Sequence, residues 1–565
     1  MDALSDGNEN SLNKNILEDF EMNRRKFFKY STMGAAVLTA SSIVNRYNSV
    51  FAKTKLPAGL RPYPHPWMPK TSWAYLTDEN EDPFKAEVSV NQDGIIIPEN
   101  IDKKFSVNTK WFVEGFGYLY LSADNAGEFF TAKDFPVNGN LNYELARTRV
   151  ARNKRVKNQY QLQRTQFSDE VEFLTSLSEE LLEDAQKSLS DGERAAHYSD
   201  KALKYALVAG EKIELERARS EIEKQKRMDN VYFGCETRQY IWAKSEDMQK
   251  AFEEVFNFAT ITHYVWDTWY EVFEPREGVY NWGVKDNIVN WLSEKNITIE
   301  GRPLFWFHPI VTPNWLKNKN FDELKKYVES HTKNLVSHYG EKVKQWEVVN
   351  EYHDWANIHN HTPEQITEIV RLACDKTSET NPDVLKIINN CSPWAEYAAM
   401  GRMARMDAAR PLRSPRKFIQ DITEAGVDYD VLGIQIYFPQ RDLSDIVRLI
   451  ERLEKFEKPI YITEMGATSG PTNQTILTGD MKLPDGPYEW HRQWDEELQA
   501  DWLEQVYTIY YSRPSIKAIN WYDFSDFRPH IVNGGLIRED SSKKKSHERL
   551  KNLLASWNRL PGSRY

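Results

Sequence analysis

The sequence predicts an α/β protein whose main body is a (β/α)8 TIM barrel, preceded by a small β-rich module and a helical hairpin. Three observations carry this prediction. From Asn230 onward, short apolar runs alternate with amphipathic helical ones, the order a parallel barrel requires. Eight of the apolar runs read as strands: Val231–Gly234, Phe256–Ile261, Ile299–Trp306, Lys344–Asn350, Val384–Asn389, Val431–Ile436, Pro459–Glu464 and Ile516–Trp521. No glycine-rich phosphate loop follows the first of them, which counts against a doubly wound sheet.

Two of these strands stop abruptly on an acid. Trp346-Glu347-Val348-Val349 closes in Asn350-Glu351, and Pro459-Ile460-Tyr461-Ile462-Thr463 closes in Glu464. Strand tips in a barrel open onto one face, where such folds keep their chemistry. Two carboxyl groups brought together there are what glycoside hydrolysis needs. Close carboxyls cannot both ionise easily, so one of the pair is expected to hold a proton. The alternative for either acid alone is a helix N-cap or an ion-pair partner.

The chain ahead of the barrel divides by composition. Residues 1–52 read as an export signal of twin-arginine type: Asn23-Arg24-Arg25-Lys26 is basic, Ser31 to Val44 apolar, and Val50-Phe51-Ala52 offers small residues for cleavage. Met22 is an alternative start, and a disordered basic tail the alternative reading. The apolar run is too short to span a bilayer comfortably. This predicts an exported protein, periplasmic or extracellular, with no transmembrane segment. Residues 53–83 read as a proline-rich linker, 84–150 as the β-rich accessory module and 151–229 as a helical hairpin with linker. Leu174, Leu177, Leu181 and Ala185 recur at helical spacing in the last of these. The catalytic domain then runs over 230–565. The module reads equally as a carbohydrate binder or as a structural cap.

Composition narrows the function classes. Of the 565 residues 40% are hydrophobic and 28% charged, as in a soluble globular protein. A formal charge of −11 argues against nucleic acid, which needs a basic face. The aromatic share is 13%, with 18 tryptophans, and these rings suit either sugar stacking or a large core. Cys235, Cys374 and Cys391 lie far apart, with neither zinc spacing nor a disulfide framework. His353, His359 and His361 fit no common zinc pattern and read as an exposed loop. No cofactor or metal is expected, and protein partners are unknown.

Taken in order, five pieces resemble glycoside hydrolase family ten, the retaining endo-β-1,4-xylanases. They are Trp346–Glu351 with Ile462-Thr463-Glu464-Met465, Glu274–Trp282, Gly301–His308, Gly433-Ile434-Gln435, and Trp521. The resemblance spans about residues 230 to 555. It implies that Glu351 is the general acid and base, and Glu464 the nucleophile. It further implies that Asn350 bonds the sugar 2-hydroxyl, that Trp306, His308 and Gln435 line the subsite and orient the sugar or the nucleophile, and that Trp521 is a stacking wall. The substrate would be a polysaccharide, xylan or a related β-glycan. Three departures put the sugar in doubt. Thr262–Trp269 stands where the family has a polar Asn/Lys clamp, so Trp266 or Trp269 would stack instead. Arg302 replaces a histidine that begins the strand-three motif, and is counted among the substrate-binding residues. Tyr437 replaces a histidine two residues after Gln435 and is placed to touch the nucleophile. A glycosidase on another β-linked glycan, or a non-catalytic sugar-binding barrel, stays open as an alternative.

Overall fold

The computed structural model describes residues 59–63, 73–91, 94–224, 230–240, 245–267, 271–437, 441–471 and 488–562. The export signal expected over residues 1–52, and Trp269, lie outside them. The expected barrel is present. Eight parallel strands close on themselves: β1 (Tyr232–Glu236), β2 (Phe258–Thr262), β3 (Thr298–Arg302), β4 (Gln345–Asn350), β5 (Leu385–Asn390), β6 (Val431–Tyr437), β7 (Ile460–Gly466) and β8 (Ile516–Trp521), with β8 pairing back onto β1. Each coincides with or overlaps a strand read from the sequence. The apolar runs are continuous because both faces of a barrel strand are covered.

The barrel interior changes character along its axis. Near the strand starts, Tyr232, Phe258, Ile387, Val431, Tyr461 and Ala518 form an apolar plug. Tyr232 stacks on Phe258 at 4.8 Å. One layer up, the inward positions turn polar, with Glu300, Glu347 and Asn389 all fully buried. The strands thus lift a polar layer onto an apolar floor, and the site is built on that layer.

Helices follow the strands with ordinary start signals. Phe321–Tyr339 opens with a capping box between Asn320 and Glu323, and Pro363–Thr380 with one between Thr362 and Gln365. Gly301 permits one close approach. A Cβ at this position would lie 2.5 Å from the Trp346 ring, the neighbour it pairs with on β4.

The N-terminal region departs from the sequence reading in two respects. Gly59–Arg61, Ala74–Thr77 and Pro83–Phe84, inside the expected linker, are strands of two four-stranded sheets that also hold Ser106–Val113 and Gly117–Ala123. The prolines that suggested a linker, Pro57, Pro62, Pro64, Pro66 and Pro69, fall outside these strands in sequence, and the one strand proline, Pro83, is on a sheet edge. Three helices follow rather than a hairpin: α1 (Leu141–Leu162), α2 (Asp169–Lys187) and α3 (Gly192–Lys224). The expected boundary at 150 falls inside α1. That helix has no apolar stripe to read, because it buries Arg149, Arg152, Asn153 and Lys157 beside its apolar residues. Arg149 forks onto Asp442 with bonds of 2.8 and 2.9 Å, both side chains buried, and so ties α1 to the loop after β6. Among the described residues no helix is long and apolar enough to cross a membrane.

Candidate active site

Glu351 follows the last residue of β4 and Glu464 lies near the end of β7, so both open at the C-terminal mouth of the barrel. Each carboxylate has its own holders. Glu351 accepts from Trp306 Nε1 at 2.8 Å and from Gln435 Nε2 at 3.0 Å. Glu464 accepts from an Arg302 guanidinium N–H on one oxygen and from the Tyr437 hydroxyl on the other. Asn350 and Asn389 join the two halves. Asn350 Oδ1 accepts from Gln435 and Asn389, each at 3.2 Å, and Asn389 Nδ2 lies 3.4 Å from Glu464.

Electrostatics separate the two acids. Burial, reinforced by the charge of Glu464, raises the Glu351 pKa to about 7 despite the two bonds to its carboxylate. It therefore keeps a proton in weakly acidic solution. The Glu351 backbone is left-handed, with φ at 56°, a conformation that costs a non-glycine residue about 1–2 kcal/mol. Its own N–H donates to the Asn389 carbonyl at 2.9 Å, which fixes the turn and points the side chain into the mouth.

Arg302 sits at the centre of four carboxylates. Besides Glu464 it lies 3.1 Å from Glu347 and 3.8 Å from Glu236, and Glu300 is close enough to feel its charge. Burial raises Glu300 to about 8 and pushes Glu347 well above the carboxylate range. Burial thus disfavours charge on both, while Arg302 bonds Glu464 directly. Glu236 is held separately, accepting from Thr262 at 2.7 Å and from two backbone N–H groups of its own turn.

The structure draws most of the expected site residues into this network and corrects the others. Arg302 has no exposed surface and bonds Glu464, so it is not a substrate contact. Trp521 is equally buried. Strand alternation turns it toward the helix Glu496–Tyr511, where it packs near Trp502 and donates to the Gly534 carbonyl at 2.9 Å, so it offers no wall. Trp306, by contrast, is half-buried beside Glu351, with the Tyr264 and His308 rings each at 4.7 Å. Gln435 donates to Glu351 and Asn350 rather than to Glu464. Trp266 lies half-buried in the loop after β2 and bonds neither carboxylate. The three loop histidines are not exposed as expected. His353 is fully buried, His361 bonds the Tyr352 hydroxyl at 2.7 Å, and His359 stacks on His361. Burial holds His353 near 3 and His361 near 4.

Asn389 and Glu347 were not singled out from the sequence. A signal was there for the first: Asn389-Asn390 closes an apolar strand on polar residues, as Asn350-Glu351 does.

The sequence model described as Glycosyl hydrolase family 10 matches residues 222–531, more than half the chain and the whole of the site. The chain belongs to glycosyl hydrolase family 10. It is 24% identical over 307 residues to endo-1,4-β-xylanase B of Thermotoga neapolitana, covering 53% of this chain and 79% of that one. It is 22% identical over 318 residues to endo-1,4-β-xylanase 1 of Arabidopsis thaliana, covering 55% of this chain and 29% of that one. Among solved structures it resembles xylanase 10B of Thermotoga petrophila in complex with xylobiose, at 23% identity and a TM-score of 0.44, over 60% of this chain and 97% of that one. As a family 10 member the chain is a glycosyl hydrolase, and the module and helices before residue 222 lie outside the family match.

Proposed function

We propose that this enzyme cleaves internal β-1,4 linkages of xylan with retention of configuration. The observation that carries the reading is the division of labour between the two carboxyls: one is buried, hydrogen-bonded by neutral groups and protonated up to about pH 7, the other is held by a guanidinium and a phenol. In the first step Glu464 attacks the anomeric carbon. The bond to the leaving oxygen breaks, and Glu351 gives its proton to that oxygen. In the second step Glu351, now a carboxylate, takes a proton from water, whose oxygen displaces Glu464 and frees it. Arg302 and Tyr437 aim Glu464 and balance its charge as it leaves. Asn350 Nδ2 has no partner among the described residues and is placed to donate to a sugar hydroxyl near the reacting carbon.

One observation favours a second reading, another β-linked glycan or a decorated xylan. Tyr264 and Trp306 stand beside the acid, and aromatic faces discriminate sugars less sharply than paired hydroxyls. A panel of soluble β-glycans with product analysis separates the two. Xylan should give a ladder of oligosaccharides whose new reducing ends appear first as the β-anomer. The α-anomer first would overturn retention, and preferential cleavage of a glucan would overturn xylan. Export is part of the same proposal, supported by the basic and apolar stretches of residues 23–44. Fractionation of expressing cells tests it, and activity confined to the cytoplasm would remove it.

A further inference from the structure

Three stretches that follow β5, β6 and β7 in the chain meet the N-terminal module. They carry Trp394 and Glu396, then Arg441, then Tyr488, which bridges Gly117 of the module. Arg441 is the centre of the junction. It is buried and donates to the Tyr120 carbonyl and the Tyr75 hydroxyl, each at 3.1 Å, and to Glu396 at 2.5 Å. Its guanidinium lies 5.0 Å from the Trp394 ring and 5.1 Å from that of Tyr120. Within the module, Trp73 stacks on Tyr75 at 4.6 Å and meets Tyr120 edge-on at 6.1 Å. One aromatic cluster therefore crosses from the barrel to the module. Its middle, Tyr75, Tyr120 and Arg441, is buried, whereas Trp73 and Trp394 at its two ends are only half-buried.

The cluster lies near the reacting groups. Arg441 is four residues beyond Tyr437, and Trp394 five beyond Asn389, both of which contact Glu464. At about 3.6 Å per extended residue, these backbones are at most about 14 and 18 Å from the strand ends. A polymer held in the catalytic pocket extends over such distances. Flat, rigid indole faces on a fixed scaffold give large contact at small entropic cost.

We infer that Trp73 and Trp394 form an accessory platform for the part of a β-linked polysaccharide that extends past the catalytic pocket. The N-terminal module then takes part in substrate recognition. Trp73 lies outside residues 222–531, so family membership assigns it no role. The inference rests on the glycosidase reading above and deepens it.

The test compares the parent enzyme with Trp73→Ala, Trp394→Ala and Trp73→Tyr on a cleaved polysaccharide and on a small aryl glycoside of the same sugar. The ratio of polymer to aryl-glycoside kcat/KM should fall about tenfold in each alanine variant, through KM for the polymer, and Trp73→Tyr should recover most of it. An unchanged ratio overturns the platform. So does a parallel loss on both substrates, which is what a merely structural role would give. If the parent cleaves no glycan, the glycosidase reading has failed separately. Native gels cast with soluble β-glycans then test the platform alone, where equal retardation of parent and Trp73→Ala would overturn it.

Discussion

In the proposed mechanism Glu351 is an acid in one step and a base in the next, and its surroundings set the pH at which it can be both. Its pKa of about 7 comes mainly from burial. As the acid it must be protonated, so kcat on a poor leaving group should fall as pH rises through about 7, while an activated aryl glycoside, which needs no proton to depart, should hold its first-step rate further into the alkaline range. Glu351→Ala should abolish turnover of polysaccharide and spare that first step on the aryl glycoside, whereas Glu464→Ala should stop both. Equal loss on both substrates in Glu351→Ala, read by burst kinetics, would reverse the assignment. Arg302 supports the other acid. Lysine in its place keeps the charge but loses the planar fork that reaches Glu464 and Glu347 together. Arg302→Lys should lower kcat by on the order of 10²-fold with little change in KM, since the contact strengthens as Glu464 recovers its charge on leaving. A KM effect alone would mean that Arg302 acts on the sugar.

At the scale of elements, the strands were legible because a barrel buries both of their faces, and the acids were legible because each interrupts an apolar run at its end. Trp521 was misread for a related reason: the end of a strand fixes the mouth as the destination of the backbone, but the parity of a single residue decides whether its side chain looks inward or toward the helix layer. Helix α1 was not legible at all. Its partners are other charged groups, Asp442 and Asp445 across the junction, so its burial leaves no apolar period. Arg302 could be seen as a departure from a histidine but not as the hub of four carboxylates, since those come from β1, β3, β4 and β7. The junction of β3 with β4 yields a sharper prediction. Gly301 admits the Trp346 ring, and a methyl there would need the ring or its strand to move. Gly301→Ala should destabilise the enzyme by about 1–3 kcal/mol in urea unfolding and, through the adjacent Arg302, reduce kcat as well. A loss below about 0.5 kcal/mol would show that Trp346 has room to yield.

Taken as a whole, the molecule stores several carboxyls away from water, and this gives its stability a direction in pH. Glu300 is raised to about 8, Glu351 to about 7 and Glu214, in α3, to about 7, each chiefly by burial. A carboxyl raised on folding binds its proton more tightly in the folded state. Its contribution is therefore complete below the unfolded value near 4.5 and erodes as pH climbs toward the folded one. Asp354 and Glu274 run the other way. Both are held below the ordinary range against the cost of burial, Asp354 by Arg410 and Arg413 and Glu274 by His331 and Tyr327, and both lose their contribution in acid. Stability should then peak near pH 5 and fall by several kcal/mol toward pH 8.5. Glu300 isolates one part of this. Both of its oxygens are without hydrogen-bond partners among the described residues, so glutamine fits the same space and removes only the titration. Between pH 5 and pH 8.5 the parent should lose more urea stability than Glu300→Gln, by on the order of 3–5 kcal/mol. The difference between the two pH profiles is the measure, because any packing cost of the amide is the same at both pH values. Parallel profiles would mean that Glu300 already ionises in the folded core. Arg302 would then be shared between two charged partners, and the hold on Glu464 that the catalytic assignment relies on would be weaker than the geometry implies.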